Sequence, residues 1–469
     1  MSRLRPTKEG AFLAFWRGDG WVKLTAFVWG AGFIARGQIG KGLLLLAEEA
    51  LFLLETILTL PSLLKLPTLG TVQAQRVWDP MQRRNVWNAY DNSFLILLFG
   101  VVGVVLILAF MIQCNRMVKD ARRTQLLAQE GHTLPTLPQT AAQYLGLRFH
   151  RTLLFLPVLG VLLVSVIPLI VMILIAFTNY DRAHLVPTNL LSWVGLSNFR
   201  LLTDLTSGGA FAYAFPRVLG WTLLWAVTAT LSCYIGGMLL AMLVNHRRTR
   251  GKPVFRTCFM IAMAVPQFVS LLLMRNLFAD VGIVNTLLRE WGMTDWLCRI
   301  GAIPTAGYVP FLTHPTWARA MILTINLWVG IPWQMLVATG VLLNIPRELT
   351  EAARIDGANG FQVFRRITLP YLLHITGPSL ISGMVTNINN FNVIWLLTRE
   401  VYVTTDQQMA AAGATEVDLL VTWLYRLTQD QSNYKMASVI GILVFIVCSA
   451  ITLTAFTRLT REGKEAAFR

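Results

Sequence analysis

Residues 346–370 read PRELTEAARIDGANGFQVFRRITLP, a polar stretch set between two long apolar segments. Pro346 can open a helix, because its missing N–H is not needed in the first turn. Glu348 and Glu351 then fall toward the positive end of the helix dipole. Ala352, Ala353 and Ala358 are small enough to let another surface approach the backbone, and Gly357 can take the left-handed conformation that ends a helix. Phe361, Phe364 and Ile367, three residues apart, predict a second helix with an apolar stripe, which Pro370 is expected to break. The plainer alternative is an amphipathic connector lying on a membrane surface. So ordered a loop between apolar segments is nevertheless expected to be gripped by something outside the bilayer.

The surrounding bulk defines the class. The 469-residue chain is 55% hydrophobic and 14% charged, with a mean hydropathy of +0.56, too apolar for a soluble globular protein. Crossing a hydrocarbon core takes about 20 apolar residues. Such runs occur near 40–62, 93–114, 153–178, 218–244, 257–278, 320–343, 371–397 and 436–457, predicting eight spans. Glu48, Glu49 and Glu55 lie inside the first. The +16 net charge would suggest nucleic acid until it is placed on this topology. With both termini on one side, the loops there carry 26 Lys and Arg against 12 opposite, so cytosolic termini follow from the positive-inside rule. The basic balance reports orientation, and a nucleic-acid role is excluded.

Residues 1–38 are expected to form a cytosolic or interfacial segment, because Trp16, Trp21 and Trp29 stand among Arg17, Lys23 and Arg36. Residues 39–114 form a two-span front part and 115–150 a cytosolic connector. That connector begins as a basic helix and continues as an extended linker with Pro135 and Pro138. A six-span unit follows over 151–469. Residues 1–10 are basic but lead to no short apolar stretch with a cleavage site, so no cleaved signal is expected. The five cysteines suggest neither a disulfide framework nor a metal motif.

The spacing Glu351-Ala352-Ala353, three residues, Gly357, nine residues, Ile367-x-Leu369-Pro370 matches the signature loop of permease subunits of ABC importers. From about Leu153 to Arg458 the chain resembles the larger, eight-span permease subunit of maltose/maltodextrin importers. The resemblance is carried by Ala264-Val265-Pro266-Gln267-Phe268-Val269-Ser270, by Leu327-Trp328-Val329-Gly330-Ile331-Pro332-Trp333, by Asn387-Ile388-Asn389-Asn390-Phe391 and by Asp418-Leu419-Leu420-Val421. In the two-span front segment, Ala35-Arg36-Gly37-Gln38 and Asp91-Asn92-Ser93 also look like Gram-positive members. The resemblance implies an all-α type I importer fold in a bacterial cytoplasmic membrane, with a cytosolic coupling helix whose contacts include Glu351, Ala352, Ala353, Asp356, Gly357 and Ala358. It implies a second permease subunit, two ATP-binding-cassette ATPases that use ATP and Mg, and an extracytoplasmic sugar-binding protein. It also implies a sugar site at Val329, Gly330, Trp333, Gly383, Thr386, Asn387 and Asn390.

The residue types fit that expectation. Val329 with Trp333, and Asn387 with Asn390, sit at spacings that share a helix face. Asparagine amides offer both donor and acceptor to sugar hydroxyls, although interhelical hydrogen bonding is an alternative use for them. The family has serine where this chain has Gly383 and an aromatic where it has Thr386; it also has a glycine-rich stretch after the sugar-site span, and its enterobacterial members a large outer insert, both missing here. A differently shaped cavity is therefore expected.

No phosphate-binding Gly-x4-Gly-Lys-[Ser/Thr] motif occurs, so ATP hydrolysis, and any nucleotide cofactor, is expected on a partner and no catalytic residue on this chain. The first rival reading is an ion-coupled sugar carrier, for which Glu48, Glu49 and Glu55 are the candidate coupling carboxylates. The second is a membrane enzyme, but His314 and His374 lack partners at metal or nucleophile–base spacing.

Overall fold

The computed structural model describes residues 10–146, 149–204, 209–246, 248–304 and 307–467. The chain is mostly helical and divides into two compact units, Met1–Gly195 and Leu196–Arg469. The boundary between them follows Gly195.

In the first unit, three short helices precede the long ones: α1 (Ala11–Arg17), α2 (Gly20–Leu24) and α3 (Ala31–Ile34). They pack on α4 (Ile39–Lys65) and α5 (Ser93–Gln129). Trp16 and Trp21 are exposed as an interfacial segment requires, but Trp29 is fully buried. Its indole stacks on Phe110 at 5.0 Å and donates to the Cys114 thiol at 3.2 Å. The expected collar is therefore partly a core element, because the loop 25–30 turns Trp29 inward among Phe33, Leu45 and Val118. Asp19 caps α2 through the Val22 N–H and takes both oxygens to the Arg36 guanidinium at 2.6–2.7 Å. Burial alone would raise the Asp19 carboxyl; the Val22 and Arg36 contacts hold it below the usual range.

Between α4 and α5 an antiparallel hairpin, β1 (Arg76–Asp79) and β2 (Arg84–Trp87), lies in the expected outer loop. Helices α6 (Leu137–Leu145), α7 (Phe149–Val161) and α8 (Ile167–Ile175) complete the unit. The extended linker expected around Pro138 is to a large extent a helix. Pro138 stands in the first turn of α6, where no N–H is required, behind a Thr136–Gln139 capping box.

The second unit holds α9 (Ser197–Arg200), α10 (Ala210–Asn245), α11 (Lys252–Ala264), α12 (Gln267–Leu277), α13 (Ile283–Glu290), α14 (Met293–Arg299) and α15 (Pro315–Leu343). It continues through α16 (Arg347–Ile355), α17 (Gly360–Val363), α18 (Leu369–Ile388), α19 (Phe391–Thr398), α20 (Gln407–Ala411), α21 (Leu420–Gln429) and α22 (Tyr434–Ala467). Helix α10 packs along α15 and against α18. Their shared core is apolar, with Trp225, Ile322, Ile325, Val393 and Leu397 buried around it.

Among the described residues, five of the expected spans are helices long and apolar enough to cross a membrane: Ser93–Gln129, Phe149–Ile175, Ala210–Asn245, Pro315–Leu343 and Tyr434–Thr457. The other three differ, and the count of eight does not follow from helix length and composition alone. Helix α4 is continuous but carries its three glutamates. The segment 257–278 is divided at Val265–Pro266, both extended, and 371–397 at Asn389–Asn390. A proline or a side-chain cap interrupts each helix where a uniform apolar run predicted continuity.

Candidate functional site

The signature loop is built as its residues suggest. Helix α16 starts after Pro346, with Glu348 in its first turn and Arg354 in its last. Gly357 has φ +84°, and the Ala358 N–H returns to the Ala353 carbonyl at 2.9 Å, a left-handed helix stop. Asn359 then caps α17 in a capping box with Gln362. The break expected at Pro370 is absent. A π-helical turn over Phe364–Thr368 leads directly into α18. A widened turn accommodates a proline that cannot donate and whose ring would crowd the carbonyl four residues back.

Glu351, Ala352, Asp356 and Gly357 are exposed, while Ala353 and Ala358 are half-buried. Leu349, Ile355 and Phe361 are also exposed, Ile355 to 86%. The next turns are anchored: Phe364, Leu369 and Tyr371 pack on a cluster that includes Met238, Met335 and Leu372. The Tyr371 hydroxyl donates to the Asn344 carbonyl at 3.4 Å, tying the two ends of the loop together.

Helices α15 and α18, which flank the loop, enclose a cavity with α10. Its volume is about 510 Å³, and its lining includes Thr230, Asn326, Gly330, Trp333, Gln334, Ser379, Ser382, Gly383, Thr386 and Asn387. That size lies within the range of small-ligand pockets, roughly 300–1,000 Å³. No ionisable carboxylate, amine, guanidinium or imidazole lines it.

Five of the seven residues expected at a sugar site line this cavity: Gly330, Trp333, Gly383, Thr386 and Asn387. Val329 does not; it packs against the apolar core. The α15 face toward the cavity is Asn326, Gly330, Trp333, Gln334 and Val337, a helical stripe that keeps Trp333 of the expected pair and leaves Val329 out. Asn390 also stands outside the lining. Its Oδ1 accepts from the Val393 N–H at 3.3 Å as the cap of α19, and its Nδ2 donates to Asn387 Oδ1 at 3.3 Å.

Asn387 is held on three sides. Its Nδ2 donates to Thr230 Oγ1 at 2.9 Å, its Oδ1 accepts from Asn390, and its carbonyl accepts from the Trp225 indole N–H at 3.1 Å. Much of its bonding capacity is thus used inside the protein, the interhelical role that the sequence left open. Thr230, Asn326, Gln334, Ser379 and Ser382 were not singled out from sequence. The helical periodicity around Gly330 and Gly383 could have found four of them, but Thr230 lies on a distant helix.

Two glycines set the spacing. A Cβ on Gly330 would stand 2.5 Å from the Cys233 sulfur, and one on Gly237 only 2.4 Å from Gln334 Cβ. Gly383 is open by contrast: its nearest neighbour would be the Thr230 methyl at 3.7 Å. A side chain at 383 would occupy space now empty.

Glu49 and Glu48 have structural partners. The Trp29 N–H donates to Glu49 at 2.9 Å and the Gln113 amide to Glu48 at 3.0 Å. Among the described residues no group of three or more His, Cys, Asp or Glu could hold a metal ion.

The mostly helical fold, with helices long and apolar enough to cross a membrane and an exposed loop joining two cavity-lining helices, is that of a membrane transport subunit. The comparisons identify which kind. The family model described as "Binding-protein-dependent transport system inner membrane component" matches residues 233–462. The maltodextrin transport system permease protein MdxF of Bacillus subtilis is 32% identical over 454 residues, covering 94% of this chain and 96% of the relative. MalC of Streptococcus pneumoniae, also a maltodextrin permease, is 32% identical over 93% of this chain and 95% of its own length. The galactooligosaccharides permease GanP of Bacillus subtilis is 33% identical over 80% and 85%. Among solved structures, a bacterial alginate ABC transporter has a chain 21% identical, covering 66% of this one and 92% of its own, at a TM-score of 0.49. The chain belongs to the membrane permeases of binding-protein-dependent carbohydrate ABC importers, and it adopts their type I fold. It is a permease of that system, not its catalytic subunit.

Proposed function

We propose that this chain forms half of a translocation pore for a neutral oligosaccharide of the maltodextrin type, paired with a second permease subunit and driven by two peripheral ATPase subunits. The observation that supports it most is the position of the cavity, whose walls α15 and α18 are the helices flanking the signature loop. From Leu369 to Ser379 the path along α18 is about 15 Å, at 1.5 Å per residue. The loop and the cavity wall are thus joined through a single helix, α18, which carries Pro378 in its interior.

Glu351, Ala352, Ala353, Asp356, Gly357 and Ala358 form the surface on which the ATPase acts. ATP and Mg are used on that partner. Closure of the ATPase pair draws the loops together and opens the pore outward to an extracytoplasmic sugar-binding protein; hydrolysis returns it inward. This is a two-state equilibrium biased at separate sites. Both termini are cytosolic, the loop side carrying the excess of Lys and Arg.

The uncharged cavity supports a neutral solute, because an acidic sugar would bring a charge with no cation to pair it. The names of relatives that carry maltodextrins and galactooligosaccharides support the same class. The test is uptake by proteoliposomes containing the full complex and its binding protein. Maltotriose is expected to enter with ATP inside and to be unaffected by an uncoupler at constant ATP. Loss of uptake on uncoupling would reinstate ion coupling, and failure to take up any neutral oligosaccharide would overturn the substrate class.

A further inference from the structure

Resting on that reading, we infer that Gln334 supplies a further amide that recognises a sugar hydroxyl in the cavity. Four observations point to it. Asn387 and Asn390 each commit one donor and one acceptor of the side-chain amide, to Thr230, to each other and to the cap of α19. The hydroxyls of Ser379 and Thr386 donate to the carbonyls of Thr376 and Ser382 at 2.7 and 2.9 Å, leaving only acceptor capacity toward the cavity. Gln334 lines the cavity half-buried, and among the described residues its amide has no hydrogen-bond partner. Finally, its Cβ is pressed against Gly237 where α10 and α15 cross, which fixes the direction in which the side chain leaves the helix.

An amide held in this way offers two donors and an acceptor, the complement of a pyranose hydroxyl. Trp333, 59% exposed on the same face, offers a flat apolar surface to the sugar ring. The pair provides stacking from one residue and a directional contact from the next. An unmet polar group in a site built for it penalises a ligand lacking the matching hydroxyl. Gln334 is thus a specificity-determining residue, while Thr230 and Asn390 are positioning residues that hold Asn387.

The test uses the complete reconstituted complex with one binding protein throughout, so that the binding protein's own preferences cancel. Uptake of maltotriose and of its monodeoxy analogues is compared for wild type, Gln334→Leu and Trp333→Ala. The expected result is an approximately tenfold fall in transport for Gln334→Leu, the scale of one lost hydrogen bond, at unchanged membrane abundance. At least one analogue that wild type discriminates against must become equivalent to maltotriose in that variant. If Gln334→Leu does not assemble, Gln334→Met is read in the same way. Reduced transport with an unchanged analogue profile overturns the proposal, because it is what a packing role would give. Unchanged transport by Gln334→Leu alongside a defect in Trp333→Ala overturns the role of Gln334 alone. Absence of maltotriose uptake by wild type overturns the reading beneath it.

Discussion

Asp418 shows how much one buried side chain organises. Its carboxylate accepts from the Thr415 N–H and hydroxyl at 2.8 Å, from the Thr422 hydroxyl at 2.9 Å, and from Arg426 at 3.1 Å. The side chain is wholly buried and the guanidinium nearly so, so removing the anion strands a cation in a dry site. Asp418→Ala is expected to destabilise the second unit by about 3–5 kcal/mol, read as a lowered unfolding temperature of the purified complex in detergent. An unchanged temperature would mean that Arg426 reaches solvent. In the sequence this residue was only the first letter of a four-residue motif. What it bonds to lies within eight residues, but which of those neighbours turn inward depends on the packing of α21.

Two elements share a device that the sequence did not disclose. A π-helical turn over Leu162–Val166 precedes Pro168, just as that over Phe364–Thr368 precedes Pro370. In both, the widened turn lets a proline enter a helix without ending it. For the signature loop, the consequence is a continuous connection from Gly360 to Ile388. Gly357 is the turn on which this element depends, because φ +84° is closed to proline and strained for other L residues. Gly357→Pro is expected to leave the permease in the membrane but to lower sugar-dependent ATP turnover and uptake at least tenfold. Glu351→Lys, a charge reversal on the exposed face of α16, should act in the same direction without altering the fold. Normal uptake at normal abundance in both variants would remove the coupling role from this loop. The helix–glycine–helix form was legible because capping and turn chemistry are local; the missing break at Pro370 was not, since the π turn is sustained by packing against Met335 and Leu372.

At the scale of the whole molecule, the partners of Glu48 and Glu49 in the first unit bear on the ion-coupled reading. Glu49 sits against the backbone of Trp29, and Glu48 against Gln113. Each is thereby an acceptor within the α1–α5 assembly, a role that needs no proton cycle. Glu49→Ala is expected to cost about 1–3 kcal/mol, the usual penalty for a buried N–H left without its acceptor. Transport per assembled complex should be unaltered. Thermal unfolding with uptake normalised to abundance checks both; a normalised uptake near zero would return Glu49 to a functional role.

The sequence by itself determined the membrane class, the positions of five long apolar helices and the helix–glycine–helix form of the signature loop, while five residues that line the cavity were implied by the family resemblance. Hydropathy, charge asymmetry, turn chemistry and motif spacing act over a few neighbouring residues and can be read in order along the chain. The tertiary structure decided which polar groups are spent and which are free. Thr230 takes the Asn387 amide across 157 residues of sequence, and Gly237 seats Gln334 from a different helix. It also turned Val329 to the core, made Asn390 a cap and drew Trp29 inside. Those outcomes depend on which helix faces meet, and a one-residue rotation of α15, about 100°, is enough to exchange a core residue for a ligand.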